Sequence, residues 1–317
     1  MSDSRVLVIG ASNLDIKGQT DSYHIAKTSN PGSVQSTAGG VARNIAENLA
    51  RLGLSTTLLS VVGDDIHSRH VLDVTAAAGV DLQHVAMTPE ASTGMFLALL
   101  NQYGDLESAV ADMSILSRLT PEYLASHQDL FKSASFVVVD ADIPEPSLIF
   151  CIEECEKNRI PLCVEPISVA RSHQILPYLD RMTMVTPNRE EAEVLAGFPL
   201  RSAEDVRRAG ARLVERGVRW AIITLGPEGV LAATSERVEF LPSISTVVTD
   251  TVGAGDALTA GTVCGLVEGL DFVPAVRQGI ACATLTLTTR LAVHPDLNKQ
   301  RVLAHQKRGE TEHCPTR

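Results

Sequence analysis

The run Val6-Leu7-Val8-Ile9 lies near the start of a chain of 317 residues in which short apolar segments alternate with longer stretches of helical periodicity. Such a run has no polar face, so we expect it to be a strand covered on both sides of a sheet. The alternation predicts an α/β fold with a mainly parallel central sheet flanked by helices on both faces. Five further segments have the same character, at residues 57–62, 136–139, 162–164, 184–186 and 221–225.

Two regions interrupt this alternation. Residues 14–38 are polar, and residues 93–110 have the pattern of a β-hairpin with its turn at 101–105. We predict that both belong to a small β-sheet at one edge of the molecule, where it forms a lid over a substrate. An ordinary surface excursion is an equally good interpretation of these residues alone. The expected organisation is one domain over 1–317, with a polar tail at 305–317.

The charge balance excludes some classes of function. With 27 Lys+Arg against 38 Asp+Glu, the formal net charge is −11, and no basic cluster suited to a phosphate backbone occurs. We therefore expect no nucleic-acid partner. No apolar stretch is long enough to span a membrane, and the six cysteines form no CxxC pair. A cytoplasmic protein without a membrane partner is the simplest expectation.

The strongest local signal is Asp250-Thr251-Val252-Gly253-Ala254-Gly255-Asp256, which precedes a helical pattern at 257–269. Glycines at the start of a helix let backbone N–H groups converge on one point, and the helix dipole favours an anion there. The Asp256 carboxylate beside that point could accept a proton from an attacking hydroxyl, as in phosphoryl transfer. The alternative is that Asp256 only caps the helix and the glycines only shape a turn.

Polar residues near the amino-terminal half could hold a ligand. Gly39 and Gly40 allow close approach to the backbone, and Asn44 has a donor and an acceptor suited to sugar hydroxyls. Asn13 and Asp15 follow the first buried strand, at the edge where α/β sheets bind ligands. A tight loop with Asn44 on a helix surface remains the alternative.

Two later segments also follow buried strands. Asn188 and Glu191 share one helix face and could hold a hydrated Mg²⁺ near phosphates, although helix capping explains them equally well. The segment 224–229 is either a plain turn or a loop under a nucleotide. The sequence has no P-loop, no GxGxxG fingerprint, no HExxH and no protein-kinase HRD and DFG motifs, so any phosphoryl transfer takes place without a Walker lysine.

Together, the early glycine pair with its asparagine and the late DTxGAGD pattern resemble the ribokinase-like (PfkB) family of sugar and nucleoside kinases. The resemblance extends from residue 5 to about residue 300 and implies a ribokinase-like fold with a β-sheet lid, a kinase activity and a requirement for ATP and Mg²⁺. It implies that Asp256 is the general base, with Gly253, Ala254 and Gly255 stabilising the transferred phosphoryl group.

The same resemblance assigns the remaining candidate residues. Nucleoside or sugar hydroxyls would be bound by Asn13, Asp15, Gly39, Gly40 and Asn44. Asn188 and Glu191 would organise Mg²⁺ and phosphate, with Glu191 acting on Mg²⁺ indirectly. The ATP site would be lined by Thr224, Gly226 and Gly229. Asp250 and the carbonyl of Val252 would bind an activating monovalent cation such as K⁺.

Within the family, the segments at 30–32, 39–50, 112–115 and 294–297 look closest to pseudouridine kinases. The expected reaction is therefore ATP-dependent phosphorylation of the pseudouridine 5′-hydroxyl, with Asp112 as a candidate contact to the base. Val41-Ala42-Arg43 departs from the Lys-Gly that often follows the glycine pair in sugar kinases, which argues against free ribose. The alternatives are ribokinase or another nucleoside kinase, and a catalytically silent nucleoside-binding regulator. A homodimer through the lid is also expected.

Overall fold

The computed structural model describes residues 4–312, and within this range the chain forms thirteen strands and eleven α-helices. The strands are β1 Arg5–Ile9, β2 Asn13–Thr20, β3 Gly32–Gly39, β4 Ser55–Gly63, β5 Val85–Thr88, β6 Gly94–Leu100, β7 Leu106–Asp112, β8 Ala134–Asp140, β9 Leu162–Glu165, β10 Met184–Val185, β11 Trp220–Thr224, β12 Val230–Ala233 and β13 Val238–Leu241. The helices are α1 Val41–Arg51, α2 Ile66–Ala77, α3 Pro121–Ala125, α4 Gln128–Ser133, α5 Glu145–Asn158, α6 Val169–Ile175, α7 Arg189–Ala196, α8 Ala203–Glu215, α9 Ala254–Val267, α10 Phe272–Thr286 and α11 Lys299–Glu312.

A large sheet has the strand order β13-β12-β11-β10-β9-β8-β1-β4-β5. Its strands from β11 through β5 pair in parallel, whereas β12 and β13 are antiparallel. All six apolar segments predicted as buried strands lie in this sheet, as β1, β4, β8, β9, β10 and β11. The α/β prediction, with a mainly parallel central sheet, is therefore confirmed.

Alternate residues of the central strands enter two different cores. Leu7 and Ile9 pack in one core with residues of α5 and α8, whereas Val6 and Val8 pack in the other with residues of α1, α9 and α10. All four side chains are fully buried. A strand covered by helices on both faces needs apolar residues at successive positions, which is why the run at the start of the chain has no polar face.

A separate small sheet has the order β3-β2-β6-β7. It is formed by the two regions that interrupt the alternation, so the predicted small β-sheet exists. In register, Asn13 lies opposite Gly39 on β3 and opposite Gly94 on β6. Since β2 begins only four residues after β1 ends, this corner of the small sheet is placed beside the carboxyl end of β1.

The carboxyl-terminal segment is more regular than its composition suggests. The polar segment from His305 begins inside α11 and is helical as far as Glu312, and residues 313–317 lie outside the described range. No helix within residues 4–312 is both long and apolar enough to cross a membrane. The cysteines of this range, at positions 151, 155, 163, 264 and 282, are buried and unpaired, and Cys314 lies outside it.

Candidate active site

Helix α9 begins at the glycine-rich segment. Its N-cap residue, Gly253, has φ 79°, and a Cβ atom there would lie 1.9 Å from the carbonyl oxygen of Ala292. Only glycine fits this left-handed and crowded position. The first N–H groups of a helix lack acceptors within the helix. That of Ala254 bonds to the carbonyl oxygen of Thr251 at 3.4 Å, which leaves that of Gly255 for an anion. The turn thus has the backbone shape that the predicted anion site requires.

Asp256 stands in the first turn of α9, but its carboxylate makes no capping contact with that helix. Instead, Asn44 Nδ2 on α1 donates a hydrogen bond of 2.7 Å to Asp256 Oδ2. Burial raises the pKa of Asp256 to about 6, and the nearby charge of Asp15 adds to this rise. The hydrogen bond from Asn44 and the positive charge of Arg43 oppose it. A carboxylate with this pKa is ionised near neutral pH and is basic enough to accept a proton.

Asp15 on β2 lies close to Asp256. It is 8% exposed and accepts a hydrogen bond of 2.7 Å from Asn13 Nδ2. A Cβ atom on Gly39 would lie 2.3 Å from Asp15 Oδ1, and one on Gly40, whose φ is 99°, would lie 2.4 Å from a backbone oxygen. Both glycines are therefore needed for the small sheet to pack beside α1. The five residues predicted to bind acceptor hydroxyls lie together in this corner.

A cavity of about 460 Å³ extends from the first turn of α9. Ala254 and Gly255 line one end, and the three residues predicted to line a nucleotide site, Thr224, Gly226 and Gly229, also line it. The remaining wall is mainly apolar, with hydroxyl groups from serines and threonines. A mainly apolar cavity with a few polar groups, open at an anion-binding turn, is suited to a ligand that has a planar ring and a phosphate tail.

Asn188 and Glu191 form a reciprocal capping box at the start of α7. Asn188 Oδ1 accepts from the N–H of Glu191, and Glu191 Oε2 accepts from the N–H of Asn188, both at 2.9 Å. Asn188 also forms a bridge with Thr224, which places the start of α7 next to the cavity. Glu191 is 5% exposed, and burial raises its pKa. The helix cap that the sequence suggested is therefore present, and Glu191 Oε1 is the carboxylate oxygen that the cap does not use.

The carboxylate of Asp250 has a partner on each oxygen. Lys17 Nζ, on β2, bonds to Asp250 Oδ2 at 2.6 Å, and Oδ1 accepts a hydrogen bond of 3.0 Å from the N–H of Val252. The ion pair ties the small sheet to the loop that leads into α9. The Lys17 ammonium therefore lies on one oxygen of the carboxylate at which a monovalent cation was expected.

Asp112 lies at the end of β7, opposite Met95 on β6. Its side chain is exposed and accepts a hydrogen bond of 3.1 Å from the N–H of Ser114. The hydrogen bonds from Ser114 lower the pKa of Asp112. The residue therefore remains ionised at the rim of the small sheet, one register step from the Asn13–Gly94 pair.

Sequence reasoning missed two buried acids at carboxyl ends of central strands. Asp140, the last residue of β8, accepts from the backbone N–H groups of Ala11 at 2.6 Å and Ala42 at 3.3 Å, and so joins the β1 loop to α1. Glu165 ends β9 and bonds to Thr259 on α9. Burial raises the pKa of both carboxyl groups, that of Glu165 to about 8. The available signal was an acid directly after an apolar strand, at the ligand-binding edge of the sheet.

These contacts bring the buried carboxylate of Asp256, the glycine-rich start of α9 and the polar groups of the small sheet together, and the start of α9 also lines the cavity. The fold and the site together define a class of kinases, and comparison with known proteins agrees. Residues 3–299 match the family described as pfkB family carbohydrate kinase. The chain belongs to this family, and it is therefore a kinase that transfers phosphate to an alcohol group.

Individual relatives refine this similarity. The pseudouridine kinase of Escherichia coli strain K12 is 33% identical over 306 residues, which cover 96% of this chain and 97% of the relative. The pseudouridine kinase of Arabidopsis thaliana is 25% identical, with 92% of each chain covered. The solved structure of Arabidopsis thaliana ribokinase, complexed with ribose and ATP, has a TM-score of 0.85 at 23% identity and covers 97% of this chain and 99% of its own. The ribokinase-like fold is therefore shown.

Proposed function

We propose that this protein uses ATP to phosphorylate the 5′-hydroxyl of pseudouridine, giving pseudouridine 5′-phosphate in the salvage of modified nucleosides. The observation that carries the proposal is the 2.7 Å hydrogen bond between Asn44 and Asp256. It joins the two motifs, separated by more than two hundred residues, into a single site. A base beside an acceptor-binding amide, next to an anion-binding turn, is the arrangement that phosphoryl transfer to an alcohol needs.

In the proposed reaction, Asp256 accepts the proton of the acceptor hydroxyl. Asn13, Asp15 and Asn44, with the backbone at Gly39 and Gly40, orient the acceptor so that its hydroxyl faces Asp256. The N–H groups at Gly253, Ala254 and Gly255 stabilise the negative charge that develops on the transferred phosphoryl group. Positioning and charge stabilisation of this kind supply most of the catalysis in phosphoryl transfer.

The cavity is the proposed site of ATP, with the phosphates at the first turn of α9 and the adenine between the mainly apolar walls. Thr224, Gly226 and Gly229 would line it. Glu191 and Glu165 fit an indirect role in holding Mg²⁺, because both carboxyl groups are buried and the charges of Glu191 and Asp256 both act on Glu165. When bound, Mg²⁺ would neutralise phosphate charge. Asn188 would hold Glu191 in place through the capping box.

We propose that the ammonium group of Lys17, rather than a bound monovalent cation, neutralises Asp250. The ion pair of 2.6 Å supports this, because it already supplies a positive charge to the carboxylate before α9. The initial rate should then be insensitive to replacing sodium chloride with potassium chloride at equal ionic strength, and Lys17→Met should acquire a potassium dependence. A wild-type protein that is inactive without potassium would contradict this proposal.

The choice of acceptor rests on the 33% identity to the pseudouridine kinase of Escherichia coli. Pseudouridine has a ring N–H that uridine lacks, and a buried acceptor facing it would discriminate strongly between the two. Asp112 is exposed at the rim of the small sheet, and we propose it as a contact to the base, which would cover it when the nucleoside binds. Values of kcat/KM for pseudouridine, uridine, adenosine and ribose test the assignment. Ribose turnover equal to or better than that of pseudouridine would favour a ribokinase instead.

The alternative of a catalytically silent nucleoside-binding protein predicts binding without turnover. The raised pKa of Asp256 and its hydrogen bond to Asn44 favour catalysis, because a binding protein needs no base beside an anion-binding turn. The formation of ADP in the presence of each acceptor separates the two functions. Calorimetric binding of a nucleoside without any phosphorylated product would support the silent alternative.

We propose that the protein is a homodimer assembled through the small sheet. One face of this sheet has exposed apolar side chains at Val34, Leu97 and Val110, and Leu97 and Val110 lie opposite each other in register. Edge strands and exposed apolar rows of this kind are usually covered by a partner. Light scattering should give twice the mass of the chain, and Leu97→Asp should give a monomer.

We also propose a reducing, cytoplasmic location, which the unpaired cysteines support.

A further inference from the structure

Helix α1 carries a buried arginine immediately before Asn44. The side chain of Arg43 is 1% exposed, although an arginine is rarely buried without a charged partner. Its Nη1 atom bonds to Glu47 Oε2, and Glu47 Oε1 in turn accepts from Arg51 Nε at 2.8 Å. The guanidinium is thus anchored on α1 by an acid that is itself held from the other side.

The other end of the guanidinium contacts Asn44. Arg43 Nη2 donates to Asn44 Oδ1, while Asn44 Nδ2 donates to Asp256 Oδ2. An inverted amide would place its NH₂ group against the guanidinium and its oxygen against the carboxylate, so both contacts would become repulsive. Arg43 therefore determines which end of the Asn44 amide faces Asp256.

The charge of Arg43 also acts on the carboxylates of the cleft. Asp15 on β2 and Glu165 on β9 both face Asp256 from neighbouring elements, and like charges disfavour ionisation of a carboxylate. The positive charge of Arg43 lowers the pKa of both Asp15 and Asp256. Arg43 thus opposes the accumulation of negative charge at both carboxylates, whereas Lys17 acts on Asp15.

We propose that Arg43 is a positioning residue that fixes the Asn44 amide toward Asp256 and keeps Asp256 ionised for proton transfer. The proposal rests on the proposed function, since it assumes that Asp256 is the base. It also assigns a role to one residue of the segment Val41-Ala42-Arg43, at which this chain departs from the Lys-Gly pattern of sugar kinases.

The test compares the pH dependence of kcat/KM in Arg43→Met, Arg43→Lys and Glu47→Gln with that of the wild type. In the pH profile, the acidic limb is the range in which kcat/KM falls as Asp256 becomes protonated. Arg43→Met should move this limb to higher pH by about one unit, because the positive charge that favours the ionised carboxylate is lost. Arg43→Lys keeps the positive charge but lacks the planar guanidinium that bonds to Glu47 and Asn44 at once. Therefore kcat should fall while the acidic limb stays in place. Glu47→Gln should move the limb down or not at all, since it leaves the charge of Arg43 less compensated.

An arginine with a purely structural role would lower the rate of Arg43→Met equally at all pH values, and an unmoved limb would overturn the proposal. If the loss of Arg43 as a partner of Glu47 prevents Arg43→Met from folding, the double variant Arg43→Met with Glu47→Gln removes both charges and should show the same upward shift. Carboxyl ¹³C NMR titration of Asp256, assigned by its loss in Asp256→Asn, provides a readout without turnover. A wild type that phosphorylates no acceptor refutes the proposed function, whereas an unchanged Asp256 titration in Arg43→Met refutes the role of Arg43.

Discussion

Helices α7 and α9 each have an acid three residues after the N-cap, and they use that acid in opposite ways. In α7, Glu191 folds back to cap its own helix through the N–H of Asn188. In α9, Asp256 makes no cap and faces Asn44 on another helix. The difference arises from the residue at the N-cap. Asn188 has an extended backbone, so that its N–H can bond to Glu191, whereas Gly253 has a left-handed backbone that does not form a capping box.

The comparison teaches that an acid at a helix start is free for chemistry when the N-cap residue gives it nothing to bond to. In α9, the left-handed glycine both removes the capping partner and opens the first turn to an anion. Glu191 is partly committed to structure, with one oxygen in the cap. The following predictions separate a catalytic acid from a structural one.

The largest effect should come from Asp256→Asn. It removes the proton acceptor but keeps the size of the side chain, so kcat should fall by about 10²- to 10⁴-fold. The affinity for the nucleoside, measured by calorimetry, should change little because Asn13, Asp15 and the backbone at Gly39 remain. As a matched control, Glu191→Gln should retain far more activity at saturating Mg²⁺. Equal losses in kcat for the two variants would remove the distinction between the acids.

A smaller effect, on stability, should appear at Glu191. Glu191→Ala removes one half of the capping box and should lower the free energy of unfolding by about 1 kcal/mol. Glu191→Gln retains an acceptor for the N–H of Asn188 and should be nearly neutral in urea unfolding, while raising the Mg²⁺ concentration needed for half-maximal rate. Equal stability of the alanine and glutamine variants would show that the cap contributes nothing.

A further effect of similar size concerns Glu165, which is near both acids. Burial raises the pKa of Glu165 in the folded state to about 8, above its ordinary value of 4.5. At a pH between these two values, Glu165 is ionised in the unfolded chain but protonated in the folded protein. Ionisation then favours unfolding, and the stability present at low pH is lost as the pH rises through about 8. Glu165→Gln cannot ionise in either state and should be more stable than wild type by on the order of 1 kcal/mol near pH 8. Parallel pH–stability curves for the two proteins would refute this.

Most of the fold could be predicted from the sequence because the buried strands leave an unmistakable pattern. Runs such as Val6 to Ile9 must be apolar at every position when helices cover both faces of the sheet. The small sheet was predictable as an interruption of that pattern. The exact start of α9 was not, since Ala254 begins the helix three residues before the predicted one and the N-cap glycine has no side-chain signature.

The candidate site was predictable only in part, because sequence motifs identify residues but not their partners. The glycine pair and the late glycine-rich turn were evident, yet nothing in the sequence indicated that Lys17 pairs with Asp250, or that Arg43 holds Asn44. Both contacts depend on how side chains are oriented after folding. The acids Asp140 and Glu165 were missed for the same reason, although their position after apolar strands was a usable signal.

The pH dependence of kcat/KM for the wild-type protein with pseudouridine and ATP tests the central claim most directly, because it reports the ionisation of the base in the unmodified protein. The claim is that Asp256, with its pKa raised by burial to about 6, accepts the proton of the acceptor. Turnover should therefore be constant above about pH 7 and should fall about tenfold per pH unit below about pH 6. A rate that stays constant down to about pH 4 would contradict the assignment of Asp256 as the base.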